Sequence, residues 1–220
     1  MKTTHSTFTL AAHTLHQIDF DPKNFTEADL LWLPHHHKLA HAGRKRKAEH
    51  LAGRLAAFHA LQQHNIRKIP GIGDNRQPLW PDGFYGSISH CGTSALAVVS
   101  QEPIGVDLET CFSEAMCGEV VGSIVTTEEQ MVLNASGLPF PLALTLAFSA
   151  KESAFKAFSF MATGLPGFAS AEVVTLDTLS ISLQLTDTFS PALAGERFQL
   201  AWLQRGQNVV TLLTKTLQPA

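Results

Sequence analysis

GSISHCGTSALAVVSQEPIGVDLE, residues 86–109, contains the extended segments around which the rest of the chain can be arranged. Polar and apolar residues alternate over 87–90, and the run at 95–99 is rich in residues that favour strands. A turn at 101–103, which contains a proline, separates this stretch from the residues that follow. The sequence therefore predicts an extended stretch and then a second strand at 104–109.

Helices are predicted on both sides of these strands. Apolar residues recur at helical spacing from Gly43 to Gln63, and a second long helix is predicted over Leu142–Met161. The pattern T-x-x-E at Thr126–Glu129 is the capping box that starts a helix. Alternating strands are predicted over Ala171–Phe189 and Arg197–Thr216.

The order of these elements predicts the domain organisation. The 220 residues allow one large domain or two small ones. A helix followed by strands occurs in each half of the chain, and no short tandem repeat is present. We therefore expect an α+β fold with two similarly built halves, residues 1–110 and 111–220.

Composition excludes several classes of protein. Apolar residues make up 45% of the chain, which does not fit an intrinsically disordered protein. No apolar run approaches the ~18–20 residues of a membrane span, and residues 1–20 lack the apolar core of a signal peptide. The three cysteines, Cys91, Cys111 and Cys117, have no C-x-x-C spacing and predict neither a disulfide framework nor a structural zinc site. We expect a cytoplasmic protein that does not bind membranes.

The net charge of −3 hides an asymmetry along the chain. Residues 1–76 contain eleven Lys and Arg against six Asp and Glu, a net charge of +5, whereas residues 77–220 have a net charge of −8. Six of the basic residues lie between Lys38 and Arg54. A basic first third favours a partner that carries phosphate, and an acidic remainder argues against a nucleic acid wrapped along the whole surface.

Two carboxylates lie on the second predicted strand. Because side chains two residues apart in a strand share a face, Asp107 and Glu109 are expected to point the same way, and Val106 and Leu108 into the core. Two carboxylates about 7 Å apart at the backbone suit Mg²⁺, which binds a few carboxylates together with water and phosphate oxygens. The alternative is an ordinary acidic end of a strand.

The segment FSAKESAFK, residues 148–156, contains a second group of charges. Glu152 and Lys156 are four residues apart and therefore adjacent on one helix face. The alternative is a surface ion pair worth about 0.2–0.5 kcal/mol.

Histidines give two weaker predictions. His90 lies beside small hydroxyl residues, among them Ser89, and could bind a phosphate, although a single histidine is more often a packed or capping residue. The run His35–His37 is predicted to be solvated surface, because consecutive side chains of a helix point in different directions.

Two other functions are weighed on the sequence. A metal-dependent nucleotide hydrolase would be expected to have a G-x-x-x-x-G-K-[ST] loop, which the chain lacks. A nucleic-acid-binding module predicts aromatic residues among the basic ones and a strongly positive whole, and neither is present.

Five motifs together resemble one protein family, and they cover roughly residues 40–165. They are AEHLAGRLAAFHAL (48–61), PLWPDG (78–83), GSISHC (86–91), GVDLE (105–109) and FSAKESAFKAF (148–158). In order and spacing they resemble the 4′-phosphopantetheinyl transferases, and more narrowly the branch that serves enterobactin-like siderophore biosynthesis. The chain has Phe148 where many members have tryptophan, an exchange of one aromatic residue for another.

The resemblance implies an activity. Family members transfer the phosphopantetheine arm of coenzyme A to a serine of an apo acyl, peptidyl or aryl carrier protein and release adenosine 3′,5′-bisphosphate. The serine hydroxyl attacks the β-phosphorus of the pyrophosphate. It also implies a fold of two similar halves, related by a pseudo-twofold axis, with the active site at their junction. We expect a monomer that binds coenzyme A and no nucleic acid.

The family pattern also assigns roles to the charged residues. It implies that Asp107, Glu109 and Glu152 bind Mg²⁺ and that Glu152 is a candidate general base for the serine hydroxyl. Lys156 is expected to neutralise charge on the leaving phosphate, and Lys151 to assist it. Because both lysines lie close to Glu152 in sequence, they are expected to lower its pKa.

The basic first third is assigned to the nucleotide. The resemblance implies that Arg46, Arg54 and His90, together with Ser89, hold coenzyme A. The loop that contains Arg76 is expected to lie along the adenosine. Arginine can bind phosphate oxygens in a bidentate manner, which lysine cannot.

Overall fold

The computed structural model describes residues 1–215, which form two compact units. The first unit is Met1–Glu102 and the second begins at Pro103. The division lies eight residues before the predicted one, because the strand Ile104–Thr110 pairs with Asn208–Thr214 and so belongs to the second sheet. The predicted mixture of helix and sheet is confirmed. Thr216, the predicted end of the last strand, lies outside the described residues.

The first unit is a four-stranded antiparallel sheet with one long helix and a small β-hairpin. The strand order in the sheet is β1-β2-β6-β5. The elements are β1 (Thr3–Leu10), β2 (His13–Phe20), α1 (Arg44–Gln62), β3 (Gly71–Ile72), β4 (Pro78–Leu79), β5 (Tyr85–Cys91) and β6 (Ser94–Ser100).

Helix α1 lies directly against this sheet, within one residue of its predicted bounds at each end. Ala48, Ala52 and Ala56 are fully buried, and these short side chains let the helix approach the strands closely. A Cβ atom at Gly53 would lie 2.8 Å from Cγ2 of Ile88 on β5, so a larger residue at position 53 would displace the Ile88 side chain. The face of β5 that contains Ile88 therefore faces α1.

The second unit is a five-stranded antiparallel sheet with three helices. The strand order is β7-β11-β10-β9-β8. The elements are β7 (Ile104–Thr110), α2 (Glu114–Ile124), α3 (Thr127–Ala135), α4 (Phe140–Phe158), β8 (Ala171–Leu176), β9 (Ser180–Leu185), β10 (Arg197–Arg205) and β11 (Asn208–Thr214). Residues 1–215 also include five short 3₁₀ turns: Pro22–Asn24, Glu27–Trp32, His36–Leu39, Phe168–Ser170 and Pro191–Leu193.

Helix α4 is the centre of the second core. Leu144, Ala147, Ala150 and Ala154 are fully buried in a cluster that includes residues of β8 to β11. The predicted capping box is confirmed, since the Glu129 carboxylate accepts the Thr126 N–H at 2.8 Å and the Thr126 hydroxyl accepts the Glu129 N–H at 3.3 Å. Among residues 1–215, no helix combines the length and the apolar character needed to cross a membrane.

Candidate functional site

The acidic face of β7 lies against the backbone of α4. A Cβ atom at Gly105 would lie 1.9 Å from the backbone oxygen of Ser153 and 2.8 Å from the nitrogen of Ala157. Because side chains alternate along a strand, Asp107 and Glu109 share the face of Gly105. The glycine therefore brings the two carboxylates to the surface of the helix. Asp107 is as buried as its apolar neighbours, 5% exposed, which the sequence pattern did not indicate.

Two serines hold α4 in register with the sheet. The hydroxyl groups of Ser149 and Ser153 lie 2.9 and 2.8 Å from the hydroxyl of Thr211 on β11, and Ser153 also donates to the Thr211 carbonyl at 3.1 Å. Thr211 is the cross-strand partner of Asp107. Ser149, Ser153 and Thr211 are not among the predicted site residues, although two serines four apart in an apolar helix are a sign of such an anchor.

Charged groups from α4 and β7 form one electrostatic cluster. Lys156 Nζ donates to Asp107 Oδ1 at 2.6 Å. Burial raises the pKa of Glu152; Lys156 opposes this shift, whereas Asp107 and Glu109 add to it. The predicted lowering of the Glu152 pKa is therefore wrong, because burial and two neighbouring carboxylates outweigh one cation.

We call Asp107, Glu109 and Glu152 the carboxylate cluster. Within residues 1–215, no group of three or more His, Cys, Asp and Glu side chains is arranged so that it could already hold a metal ion. The donor chemistry nevertheless fits a hard divalent cation, since carboxylate oxygens are its preferred ligands. A cation would also relieve the repulsion that contributes to the raised pKa of Glu152.

Lys151 does not fit its predicted role of assisting Lys156. Its side chain is buried, and its ammonium donates to the carbonyls of Ile124 and Phe168 at 2.7 and 3.1 Å. Its third partner is the carboxylate of Glu129, 2.7 Å away. Burial lowers the pKa of Lys151, and Glu129 opposes the shift. The Lys151 side chain therefore points into the protein, where these three partners surround its ammonium group.

A cavity of about 290 Å³ lies beside Glu152 and Lys151. Much of its wall is apolar: Phe155, Phe168, Phe189, Leu165 and Pro166 line it. It brings an apolar surface next to the carboxylate cluster.

Four of the five predicted nucleotide residues meet in the first unit. A cavity of about 120 Å³ is lined by Arg46, Arg54, Arg76 and His90, together with the carboxylate of Glu49. We call it the cationic cavity, because its lining has three guanidinium groups and one carboxylate. Arg46 and Arg76 also line a larger neighbouring cavity of about 590 Å³. The fifth, Ser89, is buried on the face of β5 opposite His90 and does not line either cavity.

Two arginines of the cationic cavity differ in their solvent exposure and in their hydrogen-bond partners. Arg54 is 5% exposed and donates to the carbonyls of Pro70 and Gly71 at 2.9 and 3.0 Å, so it also holds the start of the β3–β4 hairpin. Burial, and to a smaller extent Arg46, lower the pKa of Arg54 to about 10. Arg46 is exposed, and its guanidinium lies 2.9 Å from Nε2 of His90.

Two histidines form a pair that the sequence did not predict. His50 lines both cavities, and its Nε2 lies 3.0 Å from Nε2 of His35. His35 is 7% exposed, so the prediction of a solvated histidine run is wrong at this position. Burial and the nearby Arg54 lower the pKa of His50 to about 3 and that of His35 to about 4. The pair therefore adds hydrogen-bonding groups but no charge at neutral pH.

Two family models match the chain. Residues 35–100 match the model described as the 4′-phosphopantetheinyl transferase N-terminal domain. Residues 103–211 match the model described as the 4′-phosphopantetheinyl transferase superfamily. The matches are separated at the point where the two compact units divide.

Individual proteins are similar over nearly the whole chain. Enterobactin synthase component D of Salmonella typhi is 55% identical over 214 residues, which are 97% of this chain and 91% of that protein. Enterobactin synthase component D of Escherichia coli K12 is 49% identical over 96% of this chain and 98% of that protein. The 4′-phosphopantetheinyl transferase PptT of Mycobacterium tuberculosis is 29% identical over 61% of each chain.

Proposed function

The chain belongs to the 4′-phosphopantetheinyl transferase superfamily, and on that premise we propose that it transfers 4′-phosphopantetheine from coenzyme A to a serine of an apo carrier protein. The other product is adenosine 3′,5′-bisphosphate. The observation that carries the proposal is the similarity to enterobactin synthase component D over nearly all of both chains. The same similarity supports a carrier protein of siderophore synthesis as the substrate. We also propose that the enzyme is monomeric and cytoplasmic.

The carboxylate cluster and Lys156 supply the chemistry for the transfer. The serine hydroxyl attacks the β-phosphorus, and the bond to the bridging oxygen breaks. Glu152 accepts the hydroxyl proton, the role that the resemblance to the family implies for it. Lys156 neutralises the charge that develops on the leaving phosphate. The carboxylate cluster would hold Mg²⁺, which supplies further neutralisation of the pyrophosphate when it is bound.

The cationic cavity suits the nucleotide end of coenzyme A. Arg46, Arg54, Arg76 and His90 line it, and guanidinium groups bind phosphate oxygens strongly. The contact at Ser89 stays a prediction. So do the pseudo-twofold relation of the two units and an active site at their junction. Each unit does have an antiparallel sheet covered by a long helix.

The test is a mass measurement on intact carrier proteins. The purified chain is incubated with coenzyme A, Mg²⁺ and a panel of apo acyl, peptidyl and aryl carrier proteins. We expect a gain of one phosphopantetheine on at least one carrier and none on the same carrier with its serine replaced by alanine. Release of bisphosphate without any gain by a carrier would indicate a hydrolase and overturn the proposal. Nucleotide binding without turnover would indicate a binding module and equally overturn it.

A further inference from the structure

A buried ion pair includes the residue next to Glu152 in the chain. Lys151, the preceding residue of α4, is 4% exposed and Glu129 of α3 is 3% exposed. Their charged atoms, Nζ and Oε1, are 2.7 Å apart. Buried charges are retained only where partners compensate the loss of water, so each partner matters.

The partners of Lys151 use its full hydrogen-bonding capacity. An ammonium group has three donors and no acceptor. The Lys151 ammonium has three acceptors within hydrogen-bond distance: the carbonyls of Ile124 and Phe168 and the carboxylate of Glu129. No donor remains for a substrate phosphate in this arrangement. An effect of Lys151 on the reaction must therefore pass through other residues.

Glu129 connects the pair to the rest of the unit. Its Oε2 accepts the Thr126 N–H at the start of α3 at 2.8 Å. Its Oε1 accepts the Val173 N–H of β8 at 2.8 Å, in addition to the lysine. One carboxylate thus joins α3, β8 and α4, and through the lysine it also joins the end of α2 and the Phe168 turn.

The same contacts shape the cavity beside Glu152. Lys151, Glu152 and Phe168 line that cavity together. Because Lys151 and Glu152 are consecutive in α4, a shift of the helix turn that relaxes the ion pair also displaces the Glu152 carboxylate. The Phe168 wall would move with it, since Lys151 holds that carbonyl.

We propose that Glu129 is a positioning residue for Glu152, and that it acts through Lys151; this inference rests on the proposed transferase function. The pair fixes the turn of α4 and the cavity wall, and neither partner touches the reacting atoms. A displacement of about 1 Å at a reacting group can cost about 100-fold in rate. Loss of the ion pair is therefore expected to lower kcat rather than substrate affinity.

The test is a double-mutant cycle of Glu129→Gln and Lys151→Met. We expect each single variant to lower kcat by about 10- to 100-fold, with the dissociation constant for coenzyme A unchanged within about twofold. The double variant is expected to be no slower than the worse single one, because both changes remove the same interaction. Glu128→Gln, an exposed neighbour on α3, is the matched control and should retain the original kcat.

The outcomes separate this role from its alternatives. Weaker binding of coenzyme A in Lys151→Met alone would show that the lysine contacts substrate and would overturn the proposal. A lower free energy of unfolding with unchanged kcat in the folded variants would show a merely structural pair and would also overturn it.

A spectroscopic readout keeps the test independent of the transferase assay. The ¹³C resonance of the Glu152 carboxyl group, assigned with Glu152→Gln, should move in both single variants and stay in place in Glu128→Gln. An unmoved resonance contradicts the positioning role even if no carrier protein is modified by the original chain. Failure of the original chain with every carrier would instead count against the proposed function alone.

Discussion

Lys156 on α4 donates to Asp107 on β7 at 2.6 Å, and this ion pair joins the two sequence motifs of the second unit. Asp107 is almost fully buried, whereas the lysine side chain is 25% exposed. The pair connects the same helix and strand that approach each other at Gly105. The strand and the helix are therefore held by a close backbone contact and by a charge pair on the same face.

Lys156→Met should destabilise the protein, because it leaves the Asp107 carboxylate buried without this cation. We expect the free energy of unfolding in urea to fall by about 1.5–3 kcal/mol, the usual contribution of a hydrogen bond to a charged group. The double variant Asp107→Asn, Lys156→Met should lose less than the sum of the single losses. Lys45→Met, at a lysine whose side chain is 80% exposed, is the control and should lose much less. Strict additivity would contradict the coupling.

Gly105→Ala should force β7 away from α4. The new Cβ atom would meet the backbone oxygen of Ser153, which cannot move aside as the end of a flexible side chain can. We expect a loss of about 1–3 kcal/mol or more in the free energy of unfolding. Gly118→Ala in α2, where nothing lies within 4 Å of the new atom, should gain up to about 1 kcal/mol. Equal effects at the two glycines would show that the close contact at Gly105 does not matter.

The parts of this structure that could be predicted are those set by local spacing. The bounds of α1, the capping box at Thr126 and the shared face of Asp107 and Glu109 follow from residues close in sequence. The predicted domain boundary follows residue 110, because a strand gives no local sign of the sheet it joins. Its partner, β11, lies about 100 residues further along the chain.

Burial of charged side chains could not be predicted for the same reason. Lys151 and Arg54 both have the residue type of a phosphate ligand, yet distant segments accept from all three donors of Lys151 and from two of the five donors of Arg54. His35 is buried by its contact with His50, fifteen residues away. The residue type therefore indicated the chemistry of the site, and only the tertiary contacts distinguish binding residues from positioning ones.

Arg46→Ala should weaken the binding of coenzyme A more than the binding of 3′-dephospho-coenzyme A. Arg46 is the exposed arginine at His90, and a lost hydrogen bond to a charged group is worth about 1.5–3 kcal/mol, roughly a 10- to 150-fold change in affinity. Isothermal titration calorimetry with both ligands measures the difference. Lys45→Ala, its exposed neighbour, should lose less with either ligand. Equal losses of affinity for both ligands would indicate that Arg46 binds the pyrophosphate and not the 3′-phosphate.

The His35–His50 pair should make the protein less stable in acid. Both pKa values lie below the ordinary 6.5, at about 4 and about 3, so the unfolded chain binds more protons as the pH falls. The stabilisation is fully present above pH 6.5 and is lost towards pH 3–4. Each histidine can contribute at most about 1.4 kcal/mol per pH unit, and less for His50, which is partly exposed. Urea unfolding at several pH values should show a shallower slope of stability against pH in His50→Gln than in the original chain, with the exposed His41→Gln as the control variant.

Glu152→Gln separates the two roles proposed for this carboxylate. The amide keeps the size and one oxygen but loses the charge and nearly all affinity for a proton. If Glu152 only held Mg²⁺, a higher Mg²⁺ concentration would restore turnover, because weakened binding is a mass-action deficit. Because the resemblance to the family makes Glu152 a candidate general base, we expect it to act as a base as well. At saturating Mg²⁺, kcat should therefore stay about 10²- to 10⁴-fold below that of the original chain. Glu109→Gln changes a proposed ligand that has no role as a base, and it is the matched control. A higher Mg²⁺ concentration should largely restore its turnover. Full recovery of Glu152→Gln would remove the base role and leave the ligand role intact.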